Sequence, residues 1–292
     1  VASRGSRGKP LVNMLPLEDG EDINAILPVR DYSPDCYIFF ATAKGTVKRT
    51  SLDQFSRPRS VGLIAIDIEE GDRLIGAAIT SGNDHVMLLS SNGKAIRFEE
   101  TDVRSMGRTA RGVRGMRLLD GAEVISLIIP QSQLIDADAD AESEAEGEEG
   151  AAQENGNDSQ IYILTASENG YGKRTRLEEF PLRGRGGQGV IAMQTSERNG
   201  GLVAAMQVYT ADEMMLITDR GTLVRTRVEE VSVTSRNTQG VMLIRLGNDE
   251  KLVKTVRIDE PDEDETLAED AGLNEDGELD ENSESPEADA EE

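Results

Sequence analysis

Tryptophan is absent, and aromatic residues make up only 3% of the 292-residue chain. So few rings argue against a surface that stacks single-stranded bases. The missing tryptophan also removes the signature of WD-type propeller blades. A single cysteine, Cys36, excludes an internal disulfide framework and fits a cytoplasmic protein, with the thiol expected in the core. A single histidine, His85, leaves no internal histidine-based metal set or nucleophile system; it is expected at a strand edge. No apolar run approaches the roughly 18 residues of a membrane span, and no signal-peptide pattern opens the chain, so no membrane partner is expected. The first residue is Val1, not Met, which reads as a fragment. No long 3.6-residue periodicity competes for a helical fold.

Acid, by contrast, is plentiful and unevenly placed. The formal net charge is −25. Residues 135–158 hold ten Asp/Glu and residues 259–292 hold eighteen, with no Lys or Arg in either stretch. The rest of the chain carries 28 acids against 31 basic residues, about +3. The expected organisation is a mildly basic body over 1–258, interrupted by an acidic loop at 135–158 and followed by an acidic tail at 259–292. Both acidic stretches have too few apolar residues to offset chain entropy and are expected to be disordered. Solubility is their plain role; competition with another polyanion for the basic body is the sharper one.

The body repeats. "ATAKGTVKRTSLDQF" (41–55), "LSSNGKAIRFEETDV" (89–103), "TASENGYGKRTRLEEF" (165–180) and "ITDRGTLVRTRVEEV" (217–231) align on Gly45, Gly93, Gly170 and Gly221. Four residues on stand Arg49, Arg97, Arg174 and Arg225, and ten residues on stand Phe55, Val103, Phe180 and Val231. The glycine intervals are 48, 77 and 51, and the long one contains the acidic loop. Short strands fill each period: "LIAIDI" (63–68), "RLIGAAIT" (73–80), "HVMLLSS" (85–91) and "AIRFEE" (95–100) in one, with "VISLIIP" (124–130), "IYILTAS" (161–167), "VIAMQT" (190–195), "LVAAMQV" (202–208), "EMMLITD" (213–219) and "LVRTRV" (223–228) after them. The Asn-Gly in "SNGK" marks a hairpin. Four strands per repeat predict an all-β, propeller-like array of blades that bury their faces by stacking.

Between blades lie basic linkers: "SRGSRGKP" (3–10), "SRPRSVG" (56–62), "RSMGRTARGVRG" (104–115), "PLRGRGGQG" (181–189) and "SRNTQG" (235–240), none with an acid. Equivalent positions on consecutive blades put their charges along one rim. A curved basic edge suits a phosphodiester backbone, and glycines let backbone N–H groups approach an anion. The candidate DNA contacts are Arg4, Arg7 and Lys9; Arg57 and Arg59; Arg104, Arg108, Arg111 and Arg114; Arg183 and Arg185; and Arg236. On the strands, Lys48, Arg49, Arg97, Lys173, Arg174 and Arg225 are also candidates, although the four arginines could instead pair with acids on neighbouring strands. Tyr171 is a lesser candidate, with packing at a hairpin the plainer role.

The stretches "RGKPLVNMLPLEDGEDINAILPV" (7–29), "NGYGKRT" (169–175), "TDRGTLVRTRVEEV" (218–231) and "RNTQGVMLIRL" (236–246) resemble the C-terminal domain of the bacterial DNA gyrase A subunit. That resemblance implies a six-bladed β-pinwheel with strands exchanged between blades. It also implies wrapping of duplex DNA on the rim and support of ATP-dependent negative supercoiling by a type II topoisomerase. It implies no catalytic residue and no metal or cofactor in this chain, with ATP and Mg bound elsewhere in the holoenzyme. The implied partners are duplex DNA, the gyrase B subunit, and the remainder of the gyrase A subunit, in the cytoplasm at the nucleoid. The family's hallmark box, Gln-Arg-Arg-Gly-Gly-x-Gly, is not found intact. "RGRGGQG" (183–189) matches its last five positions as Arg185, Gly186, Gly187, Gln188 and Gly189, with Gly184 in place of an arginine.

Rival readings are weaker. The equivalent domain of topoisomerase IV and a protein-binding propeller scaffold remain alternatives. Gly184, Gly186 and Gly189 satisfy G-x-G-x-x-G, but the following "VIAMQT" reads as a strand where a dinucleotide site needs a helix. "GYGKRT" contains Gly-Lys, but Ser167 stands where a Walker glycine is required.

Overall fold

A computed structural model describes Leu17 and residues 21–119, 121–130 and 160–258. Both acidic stretches and the linker bearing Arg4, Arg7 and Lys9 lie outside the described residues.

Fifteen strands follow in chain order among the described residues. They are β1 (Tyr37–Thr42), β2 (Thr46–Ser51), β3 (Leu74–Thr80), β4 (His85–Ser90), β5 (Lys94–Glu99), β6 (Val113–Arg114), β7 (Val124–Ile128) and β8 (Tyr162–Ser167). Then come β9 (Tyr171–Arg176), β10 (Val190–Ile191), β11 (Leu202–Val208), β12 (Glu213–Thr218), β13 (Leu223–Arg227), β14 (Val241–Met242) and β15 (Leu252–Ile258). They form three four-stranded sheets, β3-β1-β2-β6, β10-β5-β4-β7 and β11-β8-β9-β14, and one three-stranded sheet, β13-β12-β15. All named pairings are antiparallel.

The order shows strand exchange. Three hairpins (β1–β2, β4–β5, β8–β9) form the middle of a blade, and the fourth, β12–β13, ends its sheet at β13. The chain leaving β5 goes back to the preceding sheet, where β6 pairs with β2, and then returns so that β7 pairs with β4. The same step places β10 on β5 and β14 on β9. Every sheet has a register shift where its innermost strand meets the hairpin, at Ala41/Thr42, Leu89/Ser90, Leu202/Ala204 and Ile217/Thr218. Four equivalent bulges reflect one repeated local solution to strand twist.

The core lies between neighbouring sheets, as stacking requires. Phe39, Val47, Leu88 and Phe98 bury against one another across the first two sheets. Met87, Leu89, Ile163 and Phe180 do so across the second and third, and Leu164, Met214, Leu216 and Val228 across the third and fourth. Three of the four repeated apolar landmarks, Val103, Phe180 and Val231, are buried, whereas Phe55 is half-buried.

Several sequence expectations are corrected. Residues 63–68 form no strand; their counterparts in later repeats pair with the preceding hairpin, and no such hairpin stands before them among the described residues. "VIAMQT" is a strand only over Val190–Ile191, because the exchanged segment leaves the sheet edge after two residues. Cys36 is half-buried ahead of β1 and is not a core residue. The described residues form four sheets, fewer than the six blades implied by the resemblance.

Candidate nucleic-acid interface

Glycine makes the exchange possible. Gly45, Gly93 and Gly170 turn their hairpins at φ 83°, 79° and 78°. The carbonyl of each accepts two N–H groups from the incoming strand: Gly115 and Met116 on Gly45, Ala192 and Met193 on Gly93, Leu243 and Ile244 on Gly170. A second set, Gly112, Gly189 and Gly240, sits where each linker crosses to the preceding sheet, with φ between 73° and 113°. A Cβ there would lie 2.4, 2.2 and 2.6 Å from the carbonyl oxygens of Val47, Ala95 and Gly172. These glycines serve close backbone approach between blades. Gly189, the last position of the degenerate box, is therefore structural.

The linkers join end to end. The residue five places after Gly62, Gly112 or Gly189 donates its N–H to the residue two places before the next crossing glycine. Asp67 donates to Ala110 (3.3 Å), Arg117 to Gly187 (2.9 Å) and Gln194 to Thr238 (2.9 Å). Gly186 adds a bond to the Gly115 carbonyl (2.6 Å). The four described linkers thus make one continuous strip along the outermost edge of the sheets, with a repeated spacing.

On this strip Arg57, Arg59, Arg104, Arg114 and Arg183 are exposed and Arg108 is half-buried. Their guanidinium groups have no hydrogen-bonding or ion-pair partner among the described residues. Arg108, Arg185 and Arg236 each stand four residues before a crossing glycine. The exposed Arg185 side chain donates to the carbonyls of Asp102 and Arg114 (both 2.9 Å). Half-buried Arg236 donates to the Ile191 carbonyl (3.1 Å). Arg111 pairs with Asp67 (3.3 Å) and Glu69 (2.8 Å) while more than half exposed; such surface pairs are worth about 0–1 kcal/mol and yield readily to a stronger anion. Gly184, Gly187 and Gln188 are exposed.

The strand candidates belong elsewhere. Arg49 reaches Glu100 (3.3 Å), whose carboxylate is fully buried and also accepts from Thr80 Oγ1 and the Gly82 and Asp84 N–H groups. Arg97 donates to the Leu177 and Phe180 carbonyls (3.2 and 3.3 Å) and meets His85 Nδ1 at 2.9 Å. Arg174 donates to Val231 (2.6 Å) and Glu229 (2.9 Å). Each arginine thus grips the 3-10 turn of the next blade, at Glu100–Asp102, Leu177–Glu179 and Val228–Glu230. Burial pulls the Arg97 and Arg174 pKa values below their ordinary range; nearby Glu178 opposes the shift at Arg97, and Tyr162 and Glu229 oppose it at Arg174. These three guanidinium groups are inter-blade staples. Arg225, with no further blade to grip among the described residues, is exposed and pairs with Glu213. Lys48 and Lys173 are fully buried and present no charge on the outer surface of the strip. Their ammonium groups bind carbonyls of the linkers from beneath, and Lys48 also binds that of Ala65 just after one.

His85 is the first residue of β4, a central strand, its pKa lowered by burial and by Arg97 against the opposing pull of Glu99 and Asp84. Tyr171 is half-buried beneath the Arg198 guanidinium (4.7 Å), a packing position. Two exposed arginines on the exchanged segments, Arg117 and Arg245, escaped the sequence reading. Both stand five residues after a crossing glycine, a shared register that the repeat alignment could have exposed.

No helix among the described residues is long and apolar enough to cross a membrane. Known proteins give this geometry a context. The family model described as "DNA gyrase C-terminal domain, beta-propeller" matches residues 1–30, 37–81, 84–131, 162–208 and 212–259. The chain is 52% identical over 266 residues to the DNA gyrase A subunit of Salmonella typhimurium, covering 91% of this chain and 27% of that protein. It is 49% identical over 337 residues to the DNA gyrase A subunit of Pseudomonas aeruginosa, covering 99% of this chain and 34% of that one. The chain therefore spans about a third or less of the curated relatives it matches. A solved DNA gyrase A C-terminal domain superposes with a TM-score of 0.69 at 25% identity, over 87% of this chain and 76% of that one. The C-terminal domain of DNA topoisomerase IV superposes at 0.74 with 22% identity, over 91% and 75%, a likeness of fold.

Proposed function

The chain belongs to the family of DNA gyrase C-terminal β-propeller domains, and on that premise we propose that it binds duplex DNA along its linker strip and wraps it. The observation that carries this reading is the continuity of the strip. Exposed arginines gather on one edge, several with no partner among the described residues, and backbone hydrogen bonds at a repeated spacing join each linker segment to the next.

The energetics favour many contacts over one. Neutralising roughly 6–10 phosphates makes affinity fall about 10³–10⁵-fold between 50 and 200 mM salt, equivalent to about 4–7 kcal/mol. Bending 20–30 bp by 40–90° takes on the order of 1–6 kcal/mol. A single linker cannot offset that; a row can. The chain supplies binding and curvature, and no catalytic group. Strand cleavage, ATP and Mg belong to the gyrase B subunit, or to the remainder of the gyrase A subunit, in the bacterial cytoplasm at the nucleoid. The wrapped duplex supports negative supercoiling by that assembly.

The test is duplex affinity by fluorescence anisotropy across a salt series, with relaxed circles ligated in the presence of the protein. A steep negative salt slope and a change in linking number are expected. Salt-independent affinity refutes phosphate binding on the strip. Steep binding without a linking change refutes wrapping.

A further inference from the structure

Lys48 and Lys173 occupy the same repeat position, three residues after the hairpin glycines Gly45 and Gly170. Each side chain is fully buried, yet each ends on polar atoms of the strip. The Lys48 ammonium donates to the carbonyls of Ala65 (2.5 Å) and Arg108, and so ties the segment that follows one linker to the next linker. The Lys173 ammonium donates to the carbonyls of Ser235 and Arg236 (both 2.6 Å) and to Thr238 Oγ1 (3.1 Å). All these acceptors are neutral. In the other two hairpins the position holds Ile96 and Val224. Over Ile96, Arg185 secures its linker by its own side chain.

We propose that Lys48 and Lys173 are positioning residues for the DNA interface: each ammonium fixes, from inside the sheet, the backbone that presents Arg108 or Arg236 to phosphate. This rests on the DNA-binding reading above.

The clamp is sensitive to pH. Burial, with the Arg108 charge adding to it, lowers the Lys48 pKa to about 8. Burial lowers that of Lys173 to about 8, with Glu179 opposing the shift and Arg236 adding to it. The Phe40 ring, 5.8 Å from the Lys48 ammonium, carries no charge. Above pH 8 each clamp loses its charge and one donor. Folding moves the other way. Between about 8 and the ordinary 10.5 the unfolded chain binds the proton and the folded one does not, so stability from these groups rises with pH. Weaker binding in that window is therefore not unfolding.

Duplex affinity of the full chain is measured at fixed ionic strength at pH 7 and pH 9, with circular dichroism confirming the fold. One phosphate contact is worth roughly five- to tenfold at 0.1 M salt, from a slope of about 0.9 per contact. The wild type is expected to weaken by about that factor or more between the two pH values. Lys48→Met with Lys173→Met should bind at the weaker level at both. Arg108→Ala with Arg236→Ala should also lose the pH step, although its lysines are intact; this profile and the wild type's decide the matter even if the lysine variant does not fold. A flat wild-type profile, wild-type affinity in the folded lysine variant, or a pH step surviving in the arginine variant overturns the inference alone. No duplex binding by the wild type at either pH overturns the DNA reading and this inference together.

Discussion

Replacing Arg174 with methionine separates staples from contacts. The residue is 8% exposed, and its guanidinium donates to the Val231 and Glu229 carbonyls at 2.6 and 2.9 Å and lies 5.0 Å above the Tyr162 ring. Methionine preserves the stem and leaves both carbonyls unpaired between blades. Charged hydrogen bonds contribute about 1.5–3 kcal/mol each, and each orphaned buried group costs a similar amount. The expected loss is about 3–5 kcal/mol, since the two terms overlap. For a domain of this size that lowers the melting midpoint by about 6–20 °C. Arg225→Met, which removes an exposed side chain with one surface pair, should cost no more than about 1 kcal/mol. The assay is thermal unfolding by circular dichroism, paired with duplex affinity across salt at a temperature where both variants are folded. The salt slope of Arg174→Met should match the wild type, whereas Arg104→Ala should lose about one unit. A near-wild-type midpoint for Arg174→Met, or a slope loss equal to that of Arg104→Ala, refutes the staple assignment.

Gly93→Ala and Gly221→Ala share a left-handed backbone, but a Cβ at Gly93 would lie 2.1 Å from the Met193 carbonyl and one at Gly221 meets nothing within 4 Å. Urea unfolding should show about 1–2 kcal/mol lost at Gly221 and a further 1–3 kcal/mol or so at Gly93 from overpacking; equal losses would remove the close approach from the account. Glu100→Leu should destabilise the fold by about 3–5 kcal/mol because it strands Arg49. Adding Arg49→Met should restore part of that, with a coupling of about 1–3 kcal/mol in a double-mutant cycle; strictly additive losses would show that the pair does not act as a unit. Removing residues 259–292 should tighten duplex binding at low salt by relieving competition from eighteen acids, and unchanged affinity would take the tail out of the mechanism.

Much of the blade was legible because hairpins are local. Gly93 behind Asn92 and the alternation of β12 answer to neighbours within a few residues, and pattern reports such needs directly; the apolar landmarks Val103 and Phe180 were legible because they recur at one offset in the repeat, although they pack against other sheets. Other features were hidden. Arg97 and Arg174 look, in sequence, like any basic residue on a strand. Their partners stand 80 and 57 residues further on, on turns whose position depends on how blades stack. Lys48 and Lys173 look like surface charges for the same reason. The linker glycines were legible as special positions but were assigned to anion approach, when Gly112, Gly189 and Gly240 are needed for one backbone to cross another.

The amino-acid sequence alone therefore determined the repeat, the hairpins, the all-β class and the gathering of basic residues between blades, because each depends on spacing along the chain. Tertiary structure decided which strand each linker joins, that the linkers meet end to end, and which cations face solvent. Those outcomes are set by contacts between residues far apart in the chain, where a guanidinium finds either a carbonyl or water according to which sheet has been folded against it.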